Sequence, residues 1–196
     1  MFKFDKLVFG DLGWGDEFLF ATLMTVTVSI LSMGLGLCLA IITVWAKLIT
    51  NRITRFIATF YTTVVRGVPE LLVIYLIFFG GNSVLMSVAK LFGYNGYIEL
   101  NALTIGTIAI AFISATYSSE VIRAAYLAVN KGQVEAAKAL GLSRIQIFLR
   151  VMGPQIIRHA LPGIGNVWQI TLKDTSLISV TGLVEIMRQT RIASNV

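Results

Sequence analysis

Five ionisable residues are embedded in otherwise apolar sequence: Arg66 and Glu70, Glu120, and the adjacent pair Lys173 and Asp174. A charge at membrane depth is costly and persists where it faces protein or water, as in a route for a charged solute. Arg66 and Glu70 flank Gly67 and Pro69, which weaken a helix at that point. A broken helix offers a half-helix N-terminus, which favours a carboxylate, while Glu70 could attract a cationic group. The alternative is an Arg66–Glu70 ion pair that only locks a kink. Glu120 could pair with Arg123 or Lys173, and Lys173 and Asp174 could line a pathway or seal an interface. His159 has no second His, Cys or carboxylate at ligand spacing, so no metal site is expected. One histidine, one cysteine (Cys38) and no His/Glu cluster argue against an intramembrane enzyme. There is no Gly-x-x-x-x-Gly-Lys-[Ser/Thr] loop, so the chain is not expected to hydrolyse ATP. The chemistry within reach is binding and passage.

A second constellation is local. Residues 133–140 form a good helix with two adjacent alanines, and Gly141 is a natural left-handed stop. Ser143 with Gln146 makes a capping box, and Leu142 and Ile147 are placed for a hydrophobic staple. The sequence therefore predicts helix, tight turn, helix. Ala136 and Ala137 leave room for another backbone, and Glu135 and Lys138 could pair with each other or with a partner. The spacing alone leaves two readings open, a solvated connector and a grip for a soluble partner.

The elements that must position these groups are membrane spans. The chain is 56% hydrophobic and 13% charged, with a mean hydropathy of +0.81, against about a quarter charged in soluble domains. Residues 18–46 and 100–119 contain no charge, and roughly 20 apolar residues cross a bilayer. The first run lacks the basic lead-in and cleavage site of a signal peptide. Spans are predicted at 18–46, 56–79, 100–125 and 156–172, the last interrupted by His159, Pro162, Gly163, Gly165 and Asn166. Residues 71–79 are too short to cross alone, and Gly80, Gly81 and Asn82 are expected to end that helix. On this count Arg66 lies about 16 Å deep, and residues 80–99 form an external connection. Residues 175–184 suit a re-entrant or interfacial piece.

The net charge of +6 is a topology signal and not a nucleic-acid footprint. Lys3 and Lys6 stand against Asp5, Asp11, Asp16 and Glu17 before the first span, while Lys47, Arg52 and Arg55 follow it without an acid. The positive-inside rule puts the N-terminus outside and residues 131–150 in the cytoplasm. Trp14, Trp45 and Trp168 suit interfacial anchoring among membrane lipids. The Gly34 and Gly36 pair permits close helix packing.

Residues 135–154 resemble the EAA motif of permease subunits of binding-protein-dependent ABC importers: Glu-Ala-Ala, three residues, Gly, nine residues, Ile-x-Leu-Pro. Glu135, Ala136, Ala137, Gly141 and Pro154 are in register, with Val151 in place of isoleucine and Gly153 in place of leucine. Arg66-Gly67-Val68-Pro69-Glu70, residues 116–121, Leu172-Lys173-Asp174-Thr175-Ser176-Leu177 and residues 182–188 resemble elements of the polar amino-acid branch, including its histidine/lysine/arginine/ornithine and opine members. The resemblance implies a single all-α transmembrane domain, a polytopic helical bundle of a bacterial inner membrane. It implies a coupling helix formed by Glu135, Ala136, Ala137, Lys138, Gly141, Leu142 and Arg144. It further implies two ATPase subunits carrying ATP and Mg, a second permease (identical or related) and an extracytoplasmic solute-binding protein. No cofactor is expected on this chain.

The resemblance also implies five spans and a cytoplasmic C-terminus, the usual pattern of such members, whereas four can be drawn before Val196. Either the form is truncated or a last span is absent, and the chain ending there is expected to be unstable or inactive alone. The rival class is a secondary transporter driven by an ion gradient. It would show internal repeats with paired broken helices, which this sequence lacks, and its uptake would need no ATPase.

Overall fold

A computed structural model describes Phe9, residues 13–94 and residues 101–194. Among these residues the structure is helical, without strands. Helix α1 is Gly15–Leu48, α2 is Arg52–Gly67, α3 is Glu70–Leu91 and α4 is Ala102–Ala128. Then come α5 at Lys131–Ala139, α6 at Arg144–Ile147, a π-helical turn at Phe148–Met152, α7 at Gly153–Asp174, a 3-10 turn at Thr175–Thr181, and α8 at Ile186–Ser194. The architecture is the all-α membrane bundle the sequence implies. Helices α1, α3 and α4 are each long and apolar enough to cross a membrane, and the fourth expected span lies within α7.

Helix α4 is the centre. It packs along α1, α7, α3 and α2, and its buried positions are mostly small: Gly106, Thr107, Ala109, Ala111, Ser114, Ala115, Ser118 and Ser119. Lipid gives apolar side chains no reason to cluster, so membrane helices associate by close backbone approach and interhelical hydrogen bonds. Both occur between α1 and α4. A Cβ on Gly36 would collide with the Ser114 Oγ and crowd the Ala111 carbonyl at 3.1 Å, so a side chain there forces the helices to give, whereas Gly34 faces nothing within 4 Å. The expected pair is thus one contact residue and one bystander. The Ser32 hydroxyl donates to the Thr107 carbonyl at 3.1 Å, and the Trp168 indole of α7 donates to the Ser29 hydroxyl of α1 at 2.8 Å. Large apolar side chains such as Leu23, Ile30, Ile41 and Ile42 point outward, the arrangement a lipid-facing surface requires.

Two boundaries differ from the sequence reading. The expected second span is two helices, divided at Val68 and Pro69, and α3 runs through Gly80 and Gly81 to Leu91. Glycine is tolerated in membrane helices because no water competes for the backbone. With 22 residues, α3 can cross without α2, so the depth assigned to Arg66 from residue 55 inward does not stand. Residues 80–91 are therefore helix and not external connection, and the remainder of that connection at 95–100 lies outside the described residues, as do Lys3, Asp5, Lys6 and Asp11. Helix α6, the π turn and α7 form one continuous rod from Arg144 to Asp174. Pro154 has no N–H to offer the preceding turn, and the wider π turn falls immediately before it. The short helix expected at 182–188 begins at Ile186, after Gly182 at φ +99°.

Candidate functional site

The polar hairpin forms at the end of α4. Asn130 caps α5, its side chain accepting from the Gly132 amide at 2.8 Å. Gly141, at φ +77°, ends it in a Schellman motif: the Leu142 amide donates to the Ala137 carbonyl at 3.2 Å and the Gly141 amide to the Lys138 carbonyl at 2.9 Å. The capping box is complete, with the Gln146 amide donating to the Ser143 Oγ at 3.3 Å and the Ser143 amide to the Gln146 Oε1 at 2.9 Å. Gln155 of α7 donates to the Gln133 Oε1 at 2.5 Å and fastens α5 to the rod.

Glu135, Ala136, Lys138, Gly141 and Arg144 are exposed, and Leu142 is half-buried. Ala137 is buried, so only Ala136 of the two alanines faces outward. Glu135 and Lys138 do not pair with each other but line a hollow of about 290 Å³ beside Tyr126 and Met152. Leu140, Ile145 and Leu149 stand 81%, 72% and 64% exposed beside them. The sequence reading did not single these out, although three large apolar residues on so polar a segment were a signal. The surface as a whole is a mixed-charge knob with an apolar edge.

The second cluster surrounds the break between α2 and α3. Val68 is extended, at φ −102° and ψ 141°, as the residue before a proline must be. Glu70 opens α3, where the helix dipole favours an acid. Arg66 and Glu70 do not pair with each other: Tyr117 of α4 stands between them. Its hydroxyl donates to the Glu70 Oε1 at 3.1 Å, and the Arg66 guanidinium lies 5.5 Å from its ring centroid. Asp174, buried at the end of α7, brings its carboxyl within hydrogen-bonding reach of Glu70. Four helices thus bring one guanidinium, one phenol and two carboxyls together. Tyr117 is the member the sequence analysis missed.

Glu120 belongs elsewhere. It accepts from Lys47 at 2.5 Å and from the Arg123 Nε at 3.3 Å, which meets one of its expected pairings and not the one with Lys173. Lys173 is exposed, while its neighbour Asp174 is buried. Glu185 is a further buried acid, its carboxylate accepting from the amides of Met187 and Arg188 as the cap of α8.

Residues 32–196 match the family model described as the inner membrane component of binding-protein-dependent transport systems. The chain is 53% identical over 183 residues to the nopaline transport system permease protein NocQ of Agrobacterium fabrum, covering 93% of this chain and 78% of that protein. It is 45% identical over 186 residues to the octopine transport system permease protein OccQ of Rhizobium meliloti, covering 95% and 78%. It is 40% identical over 181 residues to the histidine/lysine/arginine/ornithine transport system permease protein HisQ of Escherichia coli, covering 92% and 79%. A crystal structure of an amino acid ABC transporter with histidines superimposes with a TM-score of 0.77 at 30% identity, covering 93% of this chain and 80% of that one. The chain belongs to the family of inner-membrane permease components of binding-protein-dependent ABC importers.

Proposed function

We propose that this permease imports a basic amino acid or an opine, and that Arg66, Glu70, Tyr117 and Asp174 recognise it. The observation that carries the reading is the charge set at the helix break. Two carboxyls and one guanidinium match a zwitterion with an extra cationic group: Arg66 meets the solute carboxylate, and Glu70 and Asp174 meet its ammonium or guanidinium. The names of the similar permeases, which cover nopaline, octopine and basic amino acids, support the same class.

ATP hydrolysis belongs to the ATPase partner that importers of this family use, and a binding protein delivers the solute. In the proposed assembly two permeases, alike or related, sit above two ATPase subunits that hold ATP and Mg. The hairpin from Glu135 to Arg144 docks on the ATPase, and closure of the ATPase pair draws two hairpins together. ATP can drive this because it favours the closed state over the open one; equal affinity would shift nothing. The orientation proposed, N-terminus outside and hairpin in the cytoplasm, is supported by Lys47, Arg52 and Arg55 at and after the end of α1 and by Lys131, Lys138, Arg144 and Arg150 after α4, two helix ends that the Lys47–Glu120 pair joins, while Asp16 and Glu17 open α1.

The test is ATP-dependent uptake into liposomes by the complete transporter, comparing labelled arginine, octopine and nopaline with glutamate. Glu70→Gln is expected to reduce uptake of the cationic solutes about tenfold, the size of one charge-assisted hydrogen bond, while ATPase docking persists. Glutamate taken up as well as arginine would overturn the solute class. Uptake driven by an ion gradient without the ATPase would overturn the mechanism.

A further inference from the structure

We propose that Lys47 is a positioning residue for transport: it ties α1, α2 and α4 into one body, so that movement of the hairpin reaches the Arg66–Tyr117–Glu70 site. The inference rests on the function proposed above and adds the route by which the two sites are joined.

The Lys47 side chain is 6% exposed. Its ammonium donates to the Glu120 carboxylate on α4 at 2.5 Å and to the Thr62 hydroxyl on α2 at 2.6 Å. The Thr62 hydroxyl lies within reach of the carbonyls of Ala58 and Thr59, so its proton has a place to go and its lone pair is free for Lys47. The other oxygen of Glu120 receives Arg123. Every partner is satisfied. Yet a buried ion pair adds little stability over well-packed apolar residues, and α1 and α4 already pack closely around Gly36. Cohesion of α1 with α4 does not explain the lysine.

Its bond to α2 does. Only Ala58 and Thr62 are buried on that helix; beside the packing of Val65 on the Val73–Ile113 cluster and of the Tyr61 ring on Phe112, α2 is held by polar ties, this one and the Tyr61 hydroxyl on the Phe112 carbonyl at 2.6 Å. Thr62 and Arg66 are four apart on α2, and Glu120 and Tyr117 are three apart on α4, so each pair shares a helix face. The two helices therefore meet at two successive rungs, Thr62–Lys47–Glu120 and Arg66–Tyr117, about one helical turn apart. From Glu120 the same helix continues to Ala128, and only Val129 and Asn130 separate it from α5. An apolar contact slides, whereas a hydrogen-bonded ammonium between three helices resists shear. When the hairpin moves the end of α4, the rung carries α2 with it, and α2 bears Arg66.

The test uses the complete transporter in liposomes and reads ATPase activity with and without solute-loaded binding protein, alongside uptake. Lys47→Met is expected to keep basal ATPase activity and docking but to lose stimulation by at least about fivefold, the lower end of measured coupling between sites. Lys47→Arg is expected to restore most of it. Combining Lys47→Met with Glu120→Gln should cost little more than the first change alone, because both cut one rung. If Lys47→Met fails to assemble, Thr62→Val decides, since it leaves the ion pair intact and releases only α2. Wild-type stimulation in an assembled Lys47→Met or Thr62→Val transporter would overturn the proposal, as would fully additive effects. A wild-type transporter that ignores its loaded binding protein would instead remove the function on which the inference rests, whereas a Glu70→Gln result alone leaves it standing.

Discussion

At the scale of the residue, Tyr117 stands between Arg66 and Glu70. The two charges are four apart on one strand of sequence, and nothing in that spacing says whether they neutralise each other. A phenol from another helix takes the Glu70 carboxylate by hydrogen bond and the Arg66 guanidinium by its ring face, leaving both with capacity for a solute. Tyr117→Phe removes the hydrogen bond and keeps the ring. It is expected to raise the KM for a cationic solute about threefold to tenfold, corresponding to about 1 kcal/mol, with kcat nearly unchanged. Tyr117→Leu removes both contacts and should act more strongly. Equal uptake kinetics for wild type and Tyr117→Leu would mean that the solute passes elsewhere. The charged members of this site were legible because charge in an apolar run is conspicuous. Tyr117 was not, because aromatic residues are ordinary in such runs and its partners come from a different helix.

At the scale of the element, the hairpin was almost entirely legible and the helix break only partly so. The cap and the stop are interactions within a few residues, so the sequence contains both partners of each. Removing one should therefore act locally. Ser143→Ala deletes the side-chain half of the capping box and is expected to cost about 1 kcal/mol of hairpin order. Hydrogen exchange at residues 143–147 should accelerate and ATPase docking should weaken, while the thermal midpoint of the transmembrane bundle stays put. A lowered bundle midpoint with unchanged exchange in the hairpin would contradict this. The division at Pro69 was signalled by Gly67 and Pro69, but the continuation through Gly80 and Gly81 was not. Glycine reads as a stop where water competes for the backbone, and in lipid that competition is absent. The π turn before Pro154 was equally hidden, because it accommodates a missing N–H within an unbroken rod.

At the scale of the whole molecule, the membrane setting is written in the composition, while the assembly depends on which way each helix is turned. Gly34 and Gly36 illustrate the difference. In sequence they are equivalent members of a small-residue pair, and rotation about the α1 axis separates them by roughly 200°. One consequently meets Ser114 and the carbonyl of Ala111, and the other meets nothing. Valine at position 36 must push α1 from α4, the most extensive contact in the bundle, and with it strain the Ser32–Thr107 bond and the Lys47–Glu120 rung on the same two helices. Gly36→Val is therefore expected to lower the thermal midpoint of the purified transporter, shift it toward aggregated or unassembled material in size-exclusion chromatography, and abolish uptake. Gly34→Val should match wild type on all three measurements, since its side chain enters open space. Should both variants behave alike, α1 and α4 would have to meet along a different face, and the two-rung connection built on that face would fall with it.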